Sequence, residues 1–308
     1  MLWLGDGGMD VGPWPNLFII GAAKSGTTSL SYYLSQHPDV FMAAMKEPHF
    51  FSRVRPEGKF AHAMPVISDQ ADYLRLFADG TGFRYRGEAS TSYLWSPEAA
   101  GRIAECVPEA RIIAILREPI ERLHSHYLND MREGIEDRPI DRAIEEDFRA
   151  QGRWGVTHLY VECGFYSRQL ERYLAAFPRH QLLVLFLDDL RDRVRPTLRR
   201  VFAFLDLDLA PADTIDTTPK NTYAAPRNGL VRRLRASPLA RGLYRGLIPP
   251  GPRMTIRERL MFRRAEKPSI PARPPGFVHE LYREELARFP QGFAPHPHWL
   301  NLLEPQSA

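Results

Sequence analysis

The chain has almost no cysteine: Cys106 and Cys163 are the only two among 308 residues. Two thiols cannot build a disulfide framework, so stability has to come from a hydrophobic core. The sequence also lacks any apolar run near the ~20 residues that a membrane-spanning helix needs. Met1–Trp14 contains no basic region followed by a long apolar stretch, so no signal peptide is expected there. Together these absences set the expectation of a cytoplasmic protein. Internal repeats are missing as well, which excludes solenoids and propellers.

What is present is ordinary globular material, 44% hydrophobic and 25% charged, in a chain long enough to bury roughly 75% of its unfolded surface. The net charge of +4 is unevenly spread. Arg227–Lys267 holds twelve Arg/Lys against Glu258 and Glu266, a local net of +10 that leaves the rest at −6. Such a block suits an anionic ligand, a polyanion or a membrane surface, or it is simply a solvated face.

Leu17–Ile20 is a short apolar run closed by Gly21 and reads as a buried strand. Leu30, Tyr33 and Leu34 then recur at helical spacing until His37-Pro38 stops them. Arg111–Leu116 and Leu182–Leu187 are further buried strands, and Phe83–Glu88 is a weaker one. A helical pattern at Leu170, Tyr173, Leu174 and Phe177 lies between. Apolar strands alternating with helices predict a parallel sheet covered on both faces, an α/β three-layer sandwich. The expected organisation is one domain over 1–308. It comprises an α/β core at about 15–210, a basic Pro/Arg-rich, loop-rich segment at about 219–275, and a C-terminal helix and tail at 276–308.

Gly21-Ala-Ala-Lys24-Ser25-Gly26-Thr27-Thr28 joins the first strand to the first helix. Glycines admit close backbone approach, the helix start offers free N–H groups, Lys24 adds a full charge and Ser25, Thr27 and Thr28 add hydroxyls. These make an anion site suited to phosphate. The standard nucleoside-triphosphate loop ends Gly-Lys-Ser/Thr, whereas here Thr27 follows Gly26 and the lysine lies earlier. Arg117 sits at the end of the second long strand, and Ser125 follows eight residues on, about two helical turns away, so both can flank one anion. The alternative for this pair is a helix-capping salt bridge with an incidental serine. Lys46-Glu47-Pro-His49-Phe50-Phe51 is a charged turn whose lone glutamate, taken alone, reads as a solvated side chain. Phe50 and Phe51 read as core.

Phe18–Thr28 resembles the 5′-phosphosulfate-binding loop of sulfotransferases that use 3′-phosphoadenosine-5′-phosphosulfate (PAPS). The carbohydrate type, with heparan sulfate 3-O-sulfotransferases and bacterial homologues, is most similar. The resemblance implies a P-loop-type fold with Lys24, Ser25, Gly26, Thr27 and Thr28 around the 5′-phosphate and Lys24 stabilising the leaving group. It implies that Arg117 and Ser125 hold the 3′-phosphate. The Glu-x-His-Phe-Phe order is similar to that family's catalytic segment, which places the general base at Glu47 and makes His49 either a polar group near the acceptor or a shaper of the turn. Gly164-Phe165-Tyr166 resembles a segment near adenine, so Phe165 is either an adenine contact or a core aromatic. The implied co-substrate is PAPS, with no metal, and the Asp188-Asp189 turn is structural. The acceptor would be a hydroxyl or amine of a carbohydrate, glycolipid or small metabolite. Gly87-Glu88-Ala89-Ser90 departs from the heparan 3-O pattern, which carries a lysine where Ala89 stands.

Two other classes remain at this point: a phosphate-loop kinase using ATP and magnesium, and a non-catalytic polyanion binder working through Arg227–Lys267. Nucleic acid is not the expected partner. Peripheral membrane contact by the basic segment is compatible with the charge pattern.

Overall fold

A computed structural model describes residues 13–52, 66–150, 158–219, 224–226, 262–264 and 275–302. Most of the basic segment, including Arg227 and Lys267, lies outside these residues. Only the backbone of a small antiparallel pair, β6 (Ala224–Pro226) with β7 (Phe262–Arg264), is described there.

The centre is a five-stranded, all-parallel sheet in the order β2-β3-β1-β4-β5, formed by β1 (Leu17–Gly21), β2 (Val40–Met42), β3 (Tyr85–Ala89), β4 (Arg111–Leu116) and β5 (Leu182–Phe186). β1 pairs with β3 on one side and β4 on the other. Successive residues of the strands feed opposite faces. Phe18, Ile20, Ile112, Ala114 and Leu116 pack into one core cluster, whereas Leu17, Ile19, Ile113 and Ile115 pack into another. This double burial explains why β1 and β4 read as continuous apolar runs rather than alternating ones.

Helices α1 (Thr27–Leu34), α8 (Leu187–Asp192) and α9 (Val194–Phe204) cover the second face through Leu30, Tyr33, Leu190, Leu198 and Phe202. The first face is covered by α2 (Gln70–Arg75), α3 (Ser92–Trp95), α4 (Ala99–Cys106) and α7 (Tyr166–Ala176). A third cluster joins α5 (Pro119–Glu133), α6 (Ile140–Ala150) and α10 (Gly276–Ala287), with Tyr282 of α10 fully buried in it. The three-layer expectation holds. Two strand limits differ: β3 runs Tyr85–Ala89, and Leu187 opens α8 rather than closing β5. The three-residue β2 has no periodicity long enough to be read from sequence.

The chain moves from β1 outward to β2, back to β3, and then across to β4. Its direction therefore reverses beside β1, and a crevice opens at the carboxyl ends of the strands there. The segments that follow β1, β2, β3 and β4 all reach this edge.

Candidate active site

The first segment at the edge is the β1–α1 loop. Lys24 takes a left-handed backbone at φ 66°, and Gly26 does so at φ 91° as the N-terminal flank of α1. No side chain caps that helix, so the N–H groups of its first turn face the loop without intrahelical partners. Ser25 is fully buried, and its Oγ has no hydrogen-bond partner among the described residues. A buried hydroxyl left unmatched costs about 1–3 kcal/mol. An oxygen-rich anion in this loop would answer the hydroxyl and lie at the positive start of α1, so the residues present fit a phosphate group.

Lys24 donates from Nζ to Asn129 Oδ1 on α5 at 3.1 Å, and the same oxygen accepts from Arg132 Nη2 at 2.9 Å. Two obligate donors on one atom settle which end of the Asn129 amide faces them. Burial is the main reason that Lys24 is pulled down to about 8; the charges of Arg132 and Lys46 reinforce it, while Glu47 and Asp130 oppose it. Ser125, Asn129 and Arg132 follow one another at helical spacing on one face of α5. Asn129 and Arg132 were not anticipated, although that spacing carries the signal.

Arg117 follows β4. Its Nη1 donates to the Lys24 carbonyl at 3.3 Å and its Nη2 to Glu121 Oε2 at 2.8 Å. The guanidinium therefore joins the donor loop and also makes the capping salt bridge of the alternative reading. Ser125 is half-buried on α5.

The Lys46–His49 turn follows β2. Glu47 and His49 both take left-handed backbones, φ 58° and 56°. Two hydrogen bonds from the β3 end hold them: the Glu47 N–H donates to the Ala89 carbonyl at 3.0 Å, and the His49 N–H to Ser90 Oγ at 3.2 Å. Beneath them Glu88 is buried, accepting from Tyr73 and Tyr93 at 2.6 Å each and from Ser90 at 2.7 Å. Burial pushes this carboxyl up to about 7 against those three bonds. His49 is 1% exposed, and burial lowers its pKa, which favours neutral imidazole. The hydroxyl bonds run in one direction: Ser52 donates to the His49 carbonyl at 3.0 Å and Ser92 to Ser52 at 2.8 Å. Ser92 then accepts from His49 Nδ1 at 2.8 Å. The Nε2 lone pair is left facing Glu47 Oε2 at 3.6 Å. Glu47 is partly open, its side chain 29% exposed. The turn thus presents one accessible carboxylate on a rigid, buried polar base.

Lys46 lies between the two segments. Its Nζ donates to the hydroxyls of Thr27, at 3.4 Å, and Thr28, and lies 3.8 Å from Glu47 Oε1. Its place directly before Glu47 is the one sequence signal for it.

Phe165 is 5% exposed and packs edge-on against Tyr282 at 6.0 Å, with the Arg168 guanidinium 4.3 Å over its ring. Phe50 and Phe51 are core, as expected. Asp188 accepts from the Trp299 indole at 3.2 Å, and Asp189 pairs with Arg193. Among the described residues, no three His, Cys, Asp or Glu side chains are grouped to hold a metal.

Residues 15–211 match the model of the Sulfotransferase family. That stretch is more than half of the chain, and the chain belongs to this family. A solved structure of a sulfotransferase from Alicyclobacillus acidocaldarius is 32% identical, with a TM-score of 0.59, covering 74% of this chain and 96% of that one. Carbohydrate sulfotransferase 15 of Rattus norvegicus is 29% identical over 63% of this chain and 44% of its own length. Human heparan sulfate glucosamine 3-O-sulfotransferase 3B1 is 30% identical over 63% and 46%. The chain thus spans less than half the length of these two curated relatives. They also correct the cytoplasmic expectation, because both are of a kind found in the Golgi. Few cysteines and no long apolar run are compatible with that setting as well, so neither feature assigns a compartment. No helix among the described residues is long and apolar enough to cross a membrane.

Proposed function

We propose that the protein is a PAPS-dependent sulfotransferase acting on a hydroxyl or amine of a carbohydrate or carbohydrate-bearing acceptor. The observation that carries this reading is the meeting, at one sheet edge, of a phosphate-fitting loop with an accessible glutamate. The glutamate stands 3.8 Å from a lysine that also touches the loop. PAPS brings an already activated sulfuryl group, so the chain's own residues have only to bind, orient and move one proton.

In this reading Ser25, Gly26, Thr27, Thr28 and the first turn of α1 hold the 5′-phosphate. Lys24 keeps positive charge where negative charge develops on the leaving oxygen. Arg117, with its planar donor fork, and Ser125 hold the 3′-phosphate, and Phe165 is the aromatic on the adenine side. Glu47 takes the acceptor's proton at a carboxylate oxygen. His49 Nε2, facing Glu47, receives a hydrogen bond from the carboxyl once it is protonated. Residues 1–308 act as one sulfotransferase domain, a view supported by the burial of Tyr282 of α10 against the carbonyls of Tyr160 and Val161. Relatives named for carbohydrate acceptors favour a sugar, and Ala89 in place of a lysine argues against the heparan 3-O pattern in detail.

The test is calorimetric titration of 3′-phosphoadenosine-5′-phosphate (PAP) against the wild type and Arg117→Ala, with ADP as control. PAP binding that is much tighter than ADP binding and collapses in the variant supports the donor assignment and justifies an acceptor screen with labelled PAPS. Equal binding of both nucleotides would sink it and move a phosphate-loop kinase ahead.

A further inference from the structure

We propose that Lys46 is a positioning residue of the donor site: it braces the hydroxyls of Thr27 and Thr28 at the start of α1 and ties the donor loop to the Glu47 turn. The inference rests on the sulfotransferase reading and adds a residue to it.

The argument begins with donor counting. A lysine ammonium has three N–H donors and no acceptor, and a threonine hydroxyl has one proton and two lone pairs. Lys46 Nζ donates to Thr28 Oγ1 and, at 3.4 Å, to Thr27 Oγ1. Each hydroxyl spends a lone pair on Lys46, so neither can turn its own proton toward that lysine. Lys46 thereby fixes where both oxygens sit. Thr27 and Thr28 open α1, so the ammonium braces the helix start that faces the loop. A phosphate arriving there would meet a helix start already held in place, and pre-set dipoles are the economical form of electrostatic binding.

The third neighbour of Lys46 is Glu47, whose Oε1 lies 3.8 Å from Nζ. One ammonium therefore touches the groups that would hold the donor and the group that would deprotonate the acceptor. In-line transfer requires those two to keep a fixed separation, since misplacement by about 1 Å can cost on the order of a hundredfold in rate. The side chain is 30% exposed, and burial lowers its pKa while Glu47 raises it.

The test is a double-mutant cycle on Lys46→Met and Thr28→Val in the full chain, reading PAP and inorganic pyrophosphate affinity by calorimetry and kcat and KM for PAPS. Lys46→Met alone is expected to weaken PAP and pyrophosphate about tenfold, the order of one lost charge-assisted hydrogen bond. It should also lower kcat, because the base loses its tether. In the double variant the loss should stay near that of one single change, because the two groups act through one contact. Lys46→Arg should recover part of the affinity. Additive losses, about a hundredfold together, would overturn the proposal, since Lys46 would then act independently of Thr28. Unchanged affinities in Lys46→Met would overturn it as well. A purely structural lysine would lower the melting temperature and the active fraction yet leave KM for PAPS where it was. Pyrophosphate separates this inference from the reading beneath it. Loss of pyrophosphate binding in Lys46→Met, in a wild type that holds PAP no better than ADP, would sink the PAPS reading while retaining the lysine's role on the loop.

Discussion

The β1–α1 loop and the Lys46–His49 turn stand at the same sheet edge but are built in opposite ways. The loop works through backbone: two left-handed residues, an uncapped helix start and small side chains. The turn works through side chains, with Glu47 held in its left-handed conformation by the Ala89 carbonyl and His49 in its own by Ser90 and Ser92. A loop whose amides carry part of the binding depends first on its φ values, beside the hydroxyls and the lysine that it also presents. A turn that binds through one carboxylate depends on every atom beneath that carboxylate. The difference matches their proposed tasks, since a phosphate needs many weak donors and a proton needs one group in one place.

Predictions can break this contrast. Removing the base with Glu47→Gln should lower kcat by about two to four orders of magnitude while leaving PAP affinity nearly unchanged. A comparable loss of PAP affinity would show that the turn is part of the donor site. Next in size is the pH response of the loop. Lys24 titrates at about 8, below the lysine reference of 10.5, so its cation is present below pH 8 and lost above it. The kcat/KM for PAPS should therefore fall about tenfold between pH 7 and pH 9. Lys24→Arg should remove that limb, and a limb that persists in Lys24→Arg would assign it to another group.

Ser92→Ala takes away the acceptor of His49 Nδ1. It should reduce kcat several-fold and stability by about 1–3 kcal/mol, with PAP affinity intact. The smallest effect is expected from Gly26→Ala. At φ 91° the added Cβ would lie 2.8 Å from Leu187 Cδ1, the yielding end of a side chain. The cost should be about 1–2 kcal/mol from backbone strain, seen in thermal melts together with weaker PAP binding. A melt as severe as that of Ser92→Ala would mean that the loop is no more tolerant than the turn.

The contrast also explains what could be read from sequence. The loop was legible because its chemistry is contiguous: Gly21 to Thr28 supplies strand end, turn and helix start in one stretch. Arg117 was legible because a long apolar strand announces its own carboxyl end. Glu47 and His49 were found by resemblance to a family motif, since a lone glutamate carries no periodic signal. Their support could not be read, because Ser90, Ser92 and Glu88 reach them only through the parallel pairing of β2 with β3. Lys46, Asn129 and Arg132 were missed for the same reason: each acquires its meaning from a contact across the sheet edge. β2 leaves no period to detect in its three residues, and its neighbour β3 begins two residues and ends one residue later than the Phe83–Glu88 stretch that signals it. The basic segment dominates the charge pattern, yet almost all of it lies outside the described residues.

The order of the strands has a consequence for how the protein is made. β1 precedes the other four strands of the sheet in the chain, yet it occupies the centre and pairs at Leu17 with both Gly87 and Arg111. A nascent chain that has produced the whole donor loop still lacks both walls that hold it. Ala22 finds its backbone partner only when Ile115 arrives, at 2.7 Å, and Lys24 finds Asn129 later still. Loop-closure entropy must be met before such distant pairings stabilise anything. The anion site is therefore translated before the strands that wall it and becomes competent only after them, so nucleotide capture would report the completed sheet.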